Sequence, residues 1–165
     1  METAAQMSAS TRMAFSPLVG TEDASVDDKG RIRLSQKKQD RLGIKFVAYQ
    51  SPLGCLVLFP AAVWEERLSE MLAKPAGDLD RVIATRQLGA MAEDEMRCDV
   101  QGRFVIPQRF RDDLKLKGDV VVVGGVDRVE IWPKKAHEKF DADVKAKAEE
   151  MREMAINAAV SSQLI

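Results

Sequence analysis

Hydrophobic and polar positions recur along this chain in three rhythms, each predicting a different element. Short alternating segments, Ile32-Arg33-Leu34 and Phe104-Val105-Ile106, suit strands. Denser apolar runs come in pairs around turn-forming residues. Phe46 to Tyr49 and Cys55 to Phe59 flank Gln50-Ser51-Pro52-Leu53-Gly54, and Val120 to Val123 and Arg128 to Trp132 flank Gly124-Gly125-Val126-Asp127. Both pairs read as hairpins. Helical spacing appears over Gln108 to Leu116, opened by Pro107, with Phe110 and Leu114 on one face. It recurs over Ala61 to Leu72 with Trp64, Leu68 and Met71, and, after the breaker Lys74-Pro75-Ala76-Gly77-Asp78, over Leu79 to Ala92. Lys134 to about Ala159 favours helix, with Phe140, Val144, Ala148, Met151 and Ala155 three or four residues apart. Residues 1 to 16 show no period and are expected to be disordered.

The rhythm occurs twice. With Gly30 set on Gly102, Asp27 falls on Asp99, Arg31 on Arg103, Leu34 on Ile106, Gln36 on Gln108 and Leu42 on Leu114. One residue later in register, Leu58-Phe59-Pro60 falls on Ile131-Trp132-Pro133. Similarity spread over so many positions points to an internal duplication. Each copy opens on Asp-x-x-Gly-Arg, a turn in which Asp can bond the following backbone and Gly accepts positive φ. A strand, a short helix and two further strands follow. The first copy has Leu34-Ser35 where the second has Ile106-Pro107, and its helix, Gln-Lys-Lys-Gln-Asp-Arg, has a weaker apolar face; Ser35 can cap it.

Composition narrows the function classes. The chain has 165 residues, 45% of them hydrophobic, and a net charge of −1, so a nucleic-acid binder must concentrate its cations locally. Cys55 and Cys98 lie in no metal-binding spacing and read as reduced thiols of a cytoplasmic protein. No apolar run is long enough to span a membrane. The single histidine, His137, has no catalytic constellation around it, and no phosphate-loop, dinucleotide or zinc-hydrolase motif occurs. Gly124-Gly125 leads into another strand rather than a helix, so a hairpin fits better than a phosphate loop. Asp27 and Asp28 diverge on an extended turn and make a poor metal pair. The chain is therefore read as no enzyme, with no cofactor, metal or small-molecule substrate.

Local charge is the remaining signal. Lys29 to Arg41 carries six cations (Lys29, Arg31, Arg33, Lys37, Lys38, Arg41) against one carboxylate; Gln101 to Lys117 carries five (Arg103, Arg109, Arg111, Lys115, Lys117) against two. Arginine on a rigid turn can grip guanine or phosphate through two parallel hydrogen bonds. Equally, Arg31 and Arg103 can bond Asp27 and Asp99 and merely pin the turn. Both can hold at once.

The series Asp-Asp-Lys-Gly-Arg, then Asp-Val-Gln-Gly-Arg-Phe-Val-Ile-Pro-Gln-Arg-Phe-Arg, then a hairpin ending Val-Glu-Ile-Trp resembles the MraZ proteins over roughly residues 18 to 140. That resemblance implies an α+β, mostly β fold: two tandem AbrB-like units forming a pseudo-two-fold swapped-hairpin β-barrel with flanking helices. It places the first unit with its helix at 17–73, a linker helix at 74–95 and the second unit at 96–140; the disordered leader at 1–16 and the helical tail at 141–165, read from the patterns above, exceed the usual family core. It implies a cytoplasmic, nucleoid-associated transcriptional regulator, assembled as a ring-like homo-oligomer. Its partner would be double-stranded DNA carrying direct repeats upstream of its own division and cell-wall operon. The residues carried over as DNA-binding are Lys29, Arg31, Arg33, Gln101, Arg103 and Arg111, with Gln39 standing where the first unit lacks the helix arginine. Two other readings remain: an antitoxin-like protein-interaction module of the same fold, and a structural ring with weak DNA affinity.

Overall fold

The computed structural model describes residues 16–163; the leader expected over 1–16 falls almost wholly outside the described residues. Among the described residues, eight strands and five helices follow in the order β1 (Thr21–Val26), β2 (Arg31–Arg33), α1 (Gln36–Leu42), β3 (Phe46–Gln50), β4 (Leu56–Pro60), α2 (Ala61–Leu72), α3 (Leu79–Ala90), β5 (Ala92–Met96), β6 (Arg103–Val105), α4 (Gln108–Leu114), β7 (Gly118–Gly124), β8 (Val129–Pro133) and α5 (Lys134–Gln163). The chain divides into two compact units, residues up to Pro133 and the helix from Lys134 onward.

The first unit is α+β with antiparallel strands. Six strands form one sheet in the order β1-β7-β8-β4-β3-β5, and β2 pairs with β6 as a separate two-stranded ribbon. The described strands thus make an open sheet and a ribbon, with no closed barrel. The expectation of a mostly β chain is also corrected, because the helices hold more residues than the strands. The 30-residue α5 alone accounts for much of that difference.

Strand order reads the same from either end once the two halves of the sequence are interchanged. β1 leaves its own half to pair with β7, and β5 leaves its half to pair with β3. At the centre Val57 lies opposite Glu130, its counterpart at the offset of 73. Ile32 lies opposite Phe104 in the ribbon, its counterpart at 72. The same exchange continues in the backbone: Leu34 N–H donates to the Gly102 carbonyl (3.1 Å) and Ile106 N–H to the Gly30 carbonyl (2.9 Å).

One face of the sheet carries the core. Phe46, Ala48, Leu56, Leu58, Val120, Val122, Val129 and Ile131 point to it and are buried against Ile32 and Phe104 of the ribbon and Leu42, Phe110 and Leu114 of the short helices. Phe46 and Phe104 meet edge to face at 5.3 Å, an arrangement aromatic rings prefer. Because ribbon residues alternate sides, burying Ile32 and Phe104 turns Arg31, Arg33, Arg103 and Val105 outward. On the opposite face, α2 covers Phe59 with Trp64, 5.8 Å between rings. Arg67 of α2 lies over Phe59 and pairs with Asp127, tying the helix to the β7–β8 turn.

The weaker apolar face of α1 has a specific consequence. Where α4 buries Phe110 completely, α1 buries Lys38, the residue 72 earlier. Its ammonium lies 3.2 Å from Glu22 Oε1, an ion pair without hydrogen-bond alignment, and 3.4 Å from the Val19 carbonyl. Ser35 occupies the N-cap position, but its side chain makes no capping bond. Removing one partner of a buried pair costs more than replacing the charge with apolar volume. Glu22→Ala is therefore expected to lower stability by about 1–3 kcal/mol, moderated by Glu22's partial exposure. Replacing both partners with apolar side chains, Lys38→Met with Glu22→Leu, should leave stability unchanged or raise it. Urea denaturation midpoints of the two variants check this; the reverse order would contradict it.

Candidate nucleic-acid interface

The two Asp-x-x-Gly-Arg loops adopt the same geometry. Gly30 and Gly102 have φ of +78° and +77°, a region costly for any residue with a Cβ. In each loop the glycine N–H donates to the carbonyl of the aspartate three residues before it. Asp27 Oδ1 accepts from the backbone N–H groups of Lys29 (3.0 Å) and Arg31 (2.9 Å), and its Oδ2 from Arg31 Nε (2.7 Å). Asp99 repeats the pattern with Gln101 (2.9 Å), Arg103 (3.0 Å) and Arg103 Nε (3.2 Å).

These donors hold both carboxyls below the usual carboxylate range. In Asp27 the Arg31 backbone N–H is the largest cause, and in Asp99 the Arg103 backbone N–H. A lowered folded pKa means the clamp is fully charged above the ordinary carboxylate range and is lost as pH falls through the lowered value. At neutral pH both loops are locked.

Arg31 and Arg103 are thus pinned and also presented. Each uses Nε on its aspartate, while its two Nη groups make no hydrogen bond among the described residues. Their side chains remain 35% and 33% exposed, so neither is buried. Arg33 is exposed, makes no ion pair with the described residues and lies directly opposite Arg103. Like charges facing across a strand pair repel, and burial of Ile32 and Phe104 holds the two there nonetheless. An anion laid along the ribbon would relieve the repulsion.

Three other cations of the two basic stretches are structural. Arg41 donates to the Pro17 carbonyl, and Lys38 is buried. Arg109 bonds the Ala90 and Ala92 carbonyls and Glu93, stacked over Phe110. Sequence alone gave no means of separating them from Arg31, Arg33 and Arg103. The Cys55 thiol is buried and pushed up to about 12, chiefly by desolvation, which makes it unreactive. Among the described residues no cluster is arranged to hold a metal ion, and no helix is long and apolar enough to cross a membrane.

A family model described as "MraZ protein, putative antitoxin-like" matches residues 90–157, which include the second loop and its helix. Similar proteins named transcriptional regulator MraZ come from several bacteria. That of Caldanaerobacter subterraneus subsp. tengcongensis is 32% identical over 136 residues, 82% of this chain and 94% of the relative. That of Salinispora arenicola is 36% identical over 125 residues, 76% of this chain and 87% of the relative. The protein of Heliobacterium modesticaldum is 30% identical over 139 residues, 84% and 96% respectively. This chain belongs to the MraZ family.

Within this MraZ-family chain, the six residues carried over from sequence fall in three places. Lys29 and Gln101 stand exposed at the loop tips, and Arg31, Arg33 and Arg103 line the outward face of the ribbon. Arg111 sits apart from its own half, against Gly30 of the other. The aspartate clamp predicts an effect opposite to bulk charge. Asp27→Ala with Asp99→Ala makes the chain more positive, yet should weaken DNA binding by roughly fivefold or more, because two side chains lose their fixed orientation. Fluorescence anisotropy with a labelled duplex measures it; tighter binding would show that charge, not positioning, governs the site.

Proposed function

We propose that this chain is a sequence-specific DNA-binding transcriptional regulator that meets double-stranded DNA with the β2–β6 ribbon and its two flanking loops. The supporting observation is the outward set Arg31, Arg33 and Arg103, with Arg33 opposite Arg103 on a face that buries none of them. A two-stranded ribbon fits a major groove, and guanidinium groups held by their Nε keep two parallel donors for a base edge or phosphate. The relatives' shared name, transcriptional regulator MraZ, supports the same reading.

In the finer form of this proposal, the halves are two AbrB-like units in a swapped-hairpin arrangement, supported by the exchange of β1 and β5. The chain acts in the cytoplasm at the nucleoid, on direct repeats upstream of its own division and cell-wall operon, as a ring-like homo-oligomer. Two loops per chain make a small contact, and linked copies on repeated sites gain by effective concentration. Leu72, Leu79, Val82 and Ile83 of α2 and α3, about half exposed or more, offer apolar surface for self-association.

An electrophoretic shift with the duplex upstream of its own gene tests the proposal. Binding that survives excess unrelated duplex is expected; no shift at low salt would end it. The antitoxin-like reading, which the wording of the family description favours, would instead show as a stoichiometric protein that copurifies and shields the ribbon.

A further inference from the structure

Exchange between the halves decides which helix side chain serves which loop. Arg111 belongs to the second half in sequence, yet its guanidinium lies so close to Gly30 that a Cβ at residue 30 would overlap it. Gln39, 72 residues earlier, stands in the same relation to Gly102. Equivalent bonds hold both from behind: Arg111 Nε donates to the Ile106 carbonyl (2.9 Å), and Gln39 Nε2 to the Leu34 carbonyl (2.6 Å). One kind of socket thus holds a cation beside the first loop and a neutral amide beside the second.

The surroundings differ in the same sense. Lys29 at the tip of the first loop is replaced by Gln101 in the second. The depression beside the first loop, about 500 Å³, sets Arg111, Lys115 and Lys117 against Asp27, Asp28 and Asp112. Its counterpart beside the second loop, about 440 Å³, has Gln39 and Gly43 in the places of Arg111 and Lys115, and sets a single cation, Arg97, against Asp40 and Asp99. Lys115 holds its cation beside the first loop in the left-handed region, at φ +55° and ψ +43°, where the first half has Gly43, without a side chain, at φ +86° and ψ −177°.

Resting on the DNA-binding reading above, we propose that the two loops of one chain are unequal. The first loop, completed by Arg111 from the opposite half, is the stronger phosphate contact, and Gln39 leaves the second weaker, so each chain lies on a duplex in one orientation. Sequence order suggests the contrary, since the arginine belongs to the second copy. Arg111 spends Nε on the Ile106 carbonyl, and its Nη groups make no hydrogen bond with the described residues. Planar, charged and partly exposed over the buried Gly30, it suits a phosphodiester oxygen better than an amide does.

The two halves supply their own control. Arg111→Gln installs the side chain that the other half already uses in the same socket, so fold and carbonyl bond should survive. Gln39→Arg adds the missing cation to the second loop, and its Nε can take over the bond to the Leu34 carbonyl as Arg111 Nε bonds that of Ile106. Both variants and their combination would be titrated with the upstream duplex across salt, and contacted phosphates mapped by ethylation interference. Arg111→Gln should weaken binding about tenfold and flatten the salt slope by about one. Interference should fade at one end of the site only. Gln39→Arg should steepen the slope and strengthen the other end, and the combination should invert the asymmetry.

Unchanged affinity, slope and interference in both variants would overturn this inference while leaving DNA binding intact. A wild-type chain that binds no DNA at low salt would instead remove the reading beneath it. Should Arg111→Gln lose its thermal transition, Gln39→Arg still decides, because an unaltered interference pattern in that variant alone contradicts the proposal.

Discussion

Replacing Arg31 and Arg103 together by Ala is expected to lower affinity for the upstream duplex by about a hundredfold or more, with the thermal transition nearly in place. Each guanidinium offers two outward donors, and a good bidentate contact is worth about 1–3 kcal/mol, so the pair together accounts for the loss. The fold should tolerate it. The Arg31–Asp27 and Arg103–Asp99 pairs are partly exposed, and such pairs add about 0–1 kcal/mol each. The backbone bonds to Asp27 and Asp99, which shape the loops, do not involve the arginine side chains and remain. Anisotropy titration and a melting curve on one preparation separate the outcomes. A collapsed melting transition would mean that the arginines serve the fold; an intact one with unchanged affinity would mean that they face no DNA.

The largest stability effect should come from Phe110→Ala. Phe110 is fully buried, packed among the core residues under the sheet, and truncating a buried Phe costs about 3–5 kcal/mol through lost transfer energy and the cavity left behind. In a chain of this size that lowers the melting temperature on the order of 10 °C. The same helix carries Arg111, so DNA affinity should fall with the fold rather than independently of it. Its counterpart Lys38, already a charged residue in the equivalent place, is expected to tolerate change far better. Calorimetry on Phe110→Ala checks the first statement, and a drop of only a degree or two would show that α4 is not anchored as described.

The local turns were legible in the sequence because their chemistry is local. Asp-x-x-Gly-Arg predicts both positive φ and the aspartate bonds, and both loops show them. The hairpins, α2 and the tail helix follow from apolar spacing, with ends shifted by a few residues; α3 stops at Ala90 and Ala92 begins β5. β1 and β5 were not legible. Thr21-Glu-Asp-Ala-Ser-Val26 and Ala92-Glu-Asp-Glu-Met96 lie at the sheet edges and have little apolar alternation to betray them. Their partners lie in the opposite half, a pairing that no window of sequence contains.

The candidate site was legible to the same depth. Charge clustering singled out two stretches, and the ribbon register then divided their cations. Arg33 and Arg103 share the outward face because Ile32 and Phe104 must face the core. Lys38, Arg41 and Arg109 point to carbonyls and carboxylates of the protein itself. That Arg111 serves Gly30 rather than its own loop depends on the exchange between halves, which only the tertiary structure shows.

What matters most is whether the outward arginines neutralise phosphate, and a salt titration of the wild-type chain on its upstream duplex measures that directly. With Lys29, Arg31, Arg33, Arg103 and Arg111 available, log affinity against log salt should fall with a slope of about −3 to −4.5. An affinity that barely changes with salt, or one equally steep and equally strong on unrelated duplex, would contradict a sequence-specific protein that grips DNA through this ribbon.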